Sequence, residues 1–443
     1  MSAVDTAADR LSEPARAKEV RRVVLSSYLG SVLEYYDFLL YGMAAALVFG
    51  PVFFSDLSPS AATIASLGTF AAGYVARPLG GIVFGHFGDR IGRKSMLVLS
   101  MTVMGVASFL IGLIPPASAI GSWGAVALVT MRVLQGVAVG GEWGGATLMA
   151  LEHAEPKKRG LMAAFTNAGA PSGGVLGTLI LMAFSTLPED QFLAWGWRVP
   201  FLLSAVMLAV GLFVRTRVSE SPLFQAALDQ DQDQKPKRDA TPPILTVLKK
   251  PKVVLLTAFA CLTSFALQSA ITAFGVTYAV DQGTPRSDVL LGFAVGNLCA
   301  IFGVLGYARL SDRVGRRPVM LFGYVAAIVL IYPMFQLLAW GGVVGAMLAF
   351  LLFNVFQNAV FGPMAAFISE QFGTGSRYTG ASLGFQLATL LGGGFTPMIL
   401  ASLSASSAGS ITSACVFLAA LAAISICCLL AVGETKDNDL AAN

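Results

Sequence analysis

Long apolar runs broken by short polar stretches make up most of the chain. Twelve runs lie near residues 23–50, 62–87, 95–115, 122–151, 160–185, 198–215, 253–280, 288–309, 317–339, 342–369, 379–404 and 409–432. Each is long enough, as a helix, to cross roughly 30 Å of hydrocarbon. The pattern predicts an all-α membrane protein with twelve transmembrane helices. The short break at 115–122 makes its flanking helices antiparallel neighbours. The first run follows about twenty polar residues without a small-residue cleavage site, so it is expected to span rather than to be removed as a signal peptide.

Basic residues orient this pattern. Breaks on the N-terminal side hold Arg90, Arg93, Lys94, Lys157, Lys158, Arg159, Arg313, Arg316, Arg317 and Arg377, while the opposite breaks hold only Arg198 and Arg286. The positive-inside rule then puts both termini in the cytoplasm. Trp195 and Trp197 are expected at the outer interface, where aromatic belts form. The longest polar break, 219–252, is too polar to bury and reads as a cytoplasmic linker. It separates a six-helix unit, 1–218, from a second, 253–443.

The two units carry a repeat. GHFGDRIGRK at 85–94 is nearly copied by ARLSDRVGRR at 308–317, with Asp89 and Asp312 spaced 223 positions apart. A second pair lies 218 apart: Glu152 precedes Arg159 by seven residues, and Glu370 precedes Arg377 by seven. Two even-numbered units repeated in the same order are related by an axis along the membrane normal, as in two-bundle secondary transporters. The glycine, aspartate and basic residues of 85–94 resemble the signature of the major facilitator superfamily. More specifically, GSVLEYYDFLLYG (30–42), ARPLGGIVFGHFGDRIGRK (76–94), RVLQGVAVGGEWGGA (132–146) and WGWRVPF (195–201) resemble the metabolite:proton symporter family. The second copy departs at Ala308, where the signature has glycine, and the second half matches only at its loop motifs.

Composition narrows the class. Of 443 residues, 56% are apolar and only 12% are charged, about half the charged share of a soluble protein. A net charge of +4 without basic–aromatic clusters gives no footprint for nucleic acid. The five cysteines sit in apolar runs with no metal-ligand or disulfide spacing. No nucleotide loop or nucleophile–base constellation is present, so neither an enzyme nor a bound cofactor is expected.

A charged side chain at mid-bilayer costs about 2.5–3.5 kcal/mol, so those in spans need a reason. Five stand out: Glu34, Asp37, Arg77, Arg132 and Glu142, all in the first half. Span interiors of the second half offer neutral polar groups instead, among them Gln268 and Asn358. Glu34 and Asp37 share a helix face beside Tyr35. Two close carboxylates in a low dielectric suit a proton carrier; they also suit fixed ion pairs with Arg77 or Arg132. Arg77, just before Pro78, and Arg132, three before Gln135, can grip an organic anion or neutralise Glu34, Asp37 and Glu142. Glu142, between glycine pairs, is a second proton site or an arginine partner.

The leading reading is a proton-coupled symporter importing a small polar metabolite, expected to be a carboxylate, through the bacterial cytoplasmic membrane as a monomer. Glu34, Asp37 and Glu142 would carry the proton, and Tyr35, Arg77, Arg132, Gln135, Gln268 and Asn358 the substrate. Proton-driven efflux is a second reading. A sensor on a transporter fold is a third, disfavoured because only about ten residues follow Val432. The resemblance implies gating roles for Asp89, Arg90, Arg93, Glu152, Arg159, Asp312, Arg316, Glu370 and Arg377, as charge pairs that close the inner side of each bundle.

Overall fold

The computed structural model describes residues 13–91, 93–140, 159–216, 251–372, 377–407 and 410–436. The side chains of Asp89, Arg90, Arg93 and Arg377, all of Glu142 and Glu152, and the expected linker lie outside the described residues. Helices α1 Glu13–Leu47, α2 Pro59–Ile91, α3 Arg93–Ile111, α4 Trp123–Gly140, α5 Arg159–Ser185 and α6 Ser204–Thr216 come from the first half. From the second come α7 Pro251–Ser269, α8 Arg286–Val314, α9 Arg316–Trp340, α10 Gly342–Glu370, α11 Arg377–Ala388 and α12 Thr412–Ala431. Two are prolonged through π-helical turns: α7 through Ala270–Gly275 into Val276–Asp281, and α11 through Thr389–Gly394 into Thr396–Ser406. Among the described residues, nine helical stretches are long and apolar enough to cross a membrane.

Within the first half, α1 packs on α5, α2 on α4, and α3 on α4 and α6; within the second, α10 packs on α8 and α9, and α12 on α7 and α9. The halves meet chiefly where α5 lies along α8 and α10. They also meet where α1 and α2 face the two π-helical turns. The α2–α4 crossing brings backbones together. A β-carbon on Gly80, Gly136 or Gly140 would overlap the carbonyl oxygen of Val137, Gly73 or Arg77 respectively. Small residues permit such approach where apolar burial alone gives helices little reason to associate in lipid.

The aromatic core gathers at the end where α8 begins. Phe49, Phe53, Trp197 and Phe201 pack edge to face around one another. Trp197 is therefore wholly buried, not interfacial as its sequence position had suggested. Its indole N–H donates to the Leu193 carbonyl, so it has no need of water at the headgroups. Trp195 is 46% exposed, in keeping with a belt position.

Replacing Gly136 by Val should separate α2 from α4, because backbone cannot yield to the new methyls. Overpacking of this kind costs about 1–3 kcal/mol or more. Gly68→Ala is the control, since its β-carbon would meet only the Met398 sulfur at an ordinary 3.5 Å. Thermal unfolding of the solubilised protein should fall for Gly136→Val and hold for Gly68→Ala.

Candidate functional site

Glu34 and Asp37 lie one turn apart on α1. Asp37 is buried, and its Oδ1 accepts a 2.5 Å hydrogen bond from the Ser204 hydroxyl on α6. The Ser108 hydroxyl of α3 faces the same carboxylate. Ser108 in turn accepts the Gln135 amide at 2.7 Å, and Gln135 Oε1 accepts from Arg132 Nη1 at 3.2 Å. A relay of two neutral side chains thus separates Asp37 from Arg132. Among the described residues, no ion pair joins Asp37 to Arg77 or Arg132. Arg132 is 2% exposed, and its Nε and Nη2 have no hydrogen-bond partner among the described residues.

Aromatic faces surround the guanidinium groups instead. Arg132 lies 4.1 Å from the Tyr41 ring centre, 4.7 Å from Phe70 and 4.9 Å from Phe38. Arg77 lies 4.4 Å from Tyr74 and 4.8 Å from Phe38, so Phe38 serves both cations. Each desolvated contact of this type is worth up to about 2 kcal/mol. Gly73 leaves room for the arrangement, since its β-carbon would sit 2.6 Å from Arg132 Nε.

Two small cavities adjoin these residues, and a third lies apart from them. One is lined by Asp37, Phe38, Arg77, Arg132 and Gln135. Another has Asp37 and Glu34 in its wall with Met101, Met104 and Met207. Asp37 thus borders both. The third lies between the halves: Ala170 and Pro171 of α5 face Gln268, Asn297, Asn354 and Asn358, with Phe361 and other phenylalanines. The structure therefore brings Arg77, Arg132 and Gln135 together but sets Gln268 and Asn358 in a different space. Tyr35 packs edge-on to Phe38, 6.2 Å between ring centres.

Charge pairing is concentrated where α8 ends. Arg316 Nη1 contacts Asp312 at 2.6 Å and Nη2 contacts Glu370 at 3.2 Å, all three being buried. Asp312 also accepts the backbone N–H groups of Gly160 and Leu161, each at 3.0 Å, from the opposite half. A carboxylate there meets the positive end of the α5 dipole. The ion pairs of the cluster thus lie within the second half, and Asp312 additionally ties that half to the first turn of α5. The reason is reach, for the last turn of α8 abuts the first turn of α5. Arg159, at that first turn, leaves its Nε unpartnered among the described residues.

The residues after α12 complete the cluster. Glu434 accepts the N–H groups of Arg316 (2.9 Å) and Arg317 (3.0 Å), and Thr435 donates to Glu370 at 2.7 Å. Lys436 Nζ donates to the Arg313 carbonyl. Burial pushes the Glu434 carboxyl up, but the N–H groups of Arg316, Arg317, Lys436 and Thr435 outweigh it and hold it below its ordinary value. At the other end, Arg286 of α8 pairs with Glu189 of the first half at 3.0 Å. Glu189 is mostly exposed, so this pair is worth little in water.

The family model described as Major Facilitator Superfamily matches residues 28–397. The chain belongs to the major facilitator superfamily. It is a transporter of small molecules, a multi-pass protein of the bacterial cytoplasmic membrane, and not an enzyme. The transporter is 38% identical to the shikimate transporter of Escherichia coli K12 over 94% of this chain and 95% of that one. It is 37% identical to the inner membrane metabolite transport protein YhjE of the same organism, over 99% and 100%. It is 32% identical to the proline/betaine transporter of Salmonella typhimurium LT2, over 95% and 85%. Among solved structures, a D-xylose-proton symporter superposes with a TM-score of 0.73 at 18% identity, covering 94% of this transporter and 99% of that chain, which is a likeness of fold.

Sequence reasoning missed Phe38, Tyr74, Ser108, Ser204 and Glu434. Ordinary apolar or small polar residues in a membrane helix carry no distinguishing pattern. Only Glu434 had a signal, a carboxylate just beyond the last apolar run.

Asp312→Asn should weaken the tie to α5 by about 1.5–3 kcal/mol, the worth of hydrogen bonds to a charged group. Spin labels at Met162 and Arg309 would then report a distance distribution shifted outward. Because the folded Glu434 is the stronger acid, its contribution is complete above the unfolded value, near pH 4.3, and fades as pH falls through the folded one. The melting difference between wild type and Glu434→Ala should thus be full at pH 7 and shrink below about pH 4.

Proposed function

We propose that the protein is a proton-coupled symporter that imports a small organic carboxylate by alternating access. One observation carries this reading: Arg132 is buried with two nitrogens unpartnered among the described residues, beside the cavity it shares with Arg77 and Asp37. An unsatisfied buried guanidinium is costly, and a carboxylate is the group that satisfies it in bidentate fashion. The aromatic faces favour the charge yet supply no hydrogen-bond acceptor, leaving that place for a ligand. The cargoes named for the relatives support the class, since shikimate, proline and betaine each bear one carboxylate.

Asp37 is the proton site in this reading, with Glu34 as its neighbour toward the methionine-walled cavity. Neutral serine hydroxyls hold it, so gain of a proton leaves no arginine stranded. Glu142 is a further candidate. The amide-lined cavity between the halves, with Gln268 and Asn358, takes the uncharged part of the substrate, and Tyr35 lies beside the path between the two sites. The Asp312–Arg316–Glu370 end faces the cytoplasm, as do both termini, and opens when substrate is released inward. Asp89, Arg90, Arg93, Glu152, Arg159 and Arg377 are proposed to share in that gate. The six-helix units are 1–218 and 253–443, joined by 219–252, and the monomer is the working unit.

Uptake into proteoliposomes under an imposed pH gradient tests this, with mono-, di- and tricarboxylates, shikimate-like acids and betaines offered in turn. Accumulation of a carboxylate should collapse with protonophore. Asp37→Asn should abolish gradient-driven accumulation while substrate exchange persists. Arg132→Gln should weaken binding at least tenfold, the loss of about 1.4 kcal/mol or more from a charged hydrogen bond. Uptake indifferent to protonophore rules out the coupling, and unchanged binding by Arg132→Gln rules out the anion site.

A further inference from the structure

Tyr74 stands between the arginine site and the opposite half of the molecule. It is 4% exposed on α2, one turn before Arg77. One contact of its ring is the Arg77 guanidinium, at 4.4 Å. Phe38 and Phe70 meet it edge-on, at 5.5 and 5.4 Å between ring centres. A further contact is made by backbone. The ring lies against the glycines that close the π-helical turn Thr389–Gly394. A β-carbon on Gly393 would fall 2.8 Å from both Cζ and Oη of Tyr74, and one on Gly394 would fall 3.0 Å from its Cβ.

This glycine shelf cannot retreat. A β-carbon on Gly392 would overlap the Leu262 carbonyl oxygen, so α7 braces the turn from behind at backbone contact. A π-helical turn widens the helix and presents backbone where side chains would otherwise stand, a feature frequent at functional sites. Here it offers a flat surface for one ring. Tyr74 is confined on the other sides by Phe38, Phe70 and Arg77, so the shelf sets how far the ring can lean away from the guanidinium.

We infer that Tyr74 is a positioning residue: seated on the Gly392–Gly394 shelf, it holds the Arg77 guanidinium in place, so the relative position of the two halves sets the geometry of the anion site. Movement of α11 away from α2 withdraws the shelf, the ring follows, and Arg77 loses its stacked face. The site then differs between states without any residue of the second half touching the anion. This inference rests on the reading of Arg77 as an anion ligand, but it can be tested without a substrate.

Phenylglyoxal modifies accessible arginines, and peptide mass spectrometry reads the rate at each position. In proteoliposomes, Tyr74→Leu should raise the rate at Arg77 by about tenfold, as expected from loss of one desolvated cation–π contact. Gly393→Ala, whose methyl would press the ring toward the guanidinium, should lower that rate severalfold, and Tyr74→Phe should leave it unchanged because the ring remains. Arg198, held by the Gly112 and Ile114 carbonyls at the far end of α3, is the internal control and should not change. An unchanged Arg77 rate in Gly393→Ala or in Tyr74→Leu overturns the inference. A parallel rise at Arg198 also overturns it, because that would mean general loosening. Carboxylate uptake by Arg77→Ala tests the transport reading separately, so the two can fail independently.

Discussion

Two guanidinium groups kept inside a lipid-shielded bundle are the constraint around which the first half is built. Each costs several kcal/mol unless the surroundings answer it. The expected answer, pairing with the carboxylates of the neighbouring helix, is not the one the fold uses for Arg132. Rings of Phe38, Tyr41 and Phe70 crowd its faces, and Gln135 takes one of its nitrogens. Aromatic quadrupoles favour a cation without neutralising it. In the proposed transport reading that difference matters, because an arginine locked to a carboxylate is closed to an anion, whereas one held by rings keeps its donors.

The same economy explains why Asp37 is held by serines. A relay through Ser108 and Gln135 lets the carboxylate and Arg132 sense each other without a bond that must break. The glycines of the α2–α4 crossing make this possible. With backbones in contact, Arg77 and Arg132 reach one small space from adjacent helices.

The two ends of the molecule are closed by different physics. Where α8 ends, buried charges do it, with Asp312 reaching across to the α5 N-terminus and Glu434 tying the tail over Arg316. Where α8 begins, aromatic packing dominates, and the Arg286–Glu189 pair found there among the described residues has an exposed carboxylate. Buried charge contacts weaken steeply once water raises the local dielectric, while apolar packing is lost in proportion to the area exposed.

Much of this architecture was legible from hydropathy alone, since crossing a bilayer demands unbroken apolar helices whatever their neighbours. The repeat at Asp89 and Asp312, and the few charges inside spans, were legible for the same reason: lipid makes each one conspicuous. Partnership was not legible. Trp197 carried the mark of an interface residue and proved to be core, because only the packed chain brings Phe49, Phe53 and Phe201 around it. Nothing in the letters separated Phe38 and Tyr74 from thirty-eight other phenylalanines and tyrosines. The sequence by itself determined that charge would be carried within the membrane and by which half. Only the tertiary structure decided what each charge would face, because a guanidinium's surroundings come from helices far apart in the chain, and no local pattern encodes their meeting.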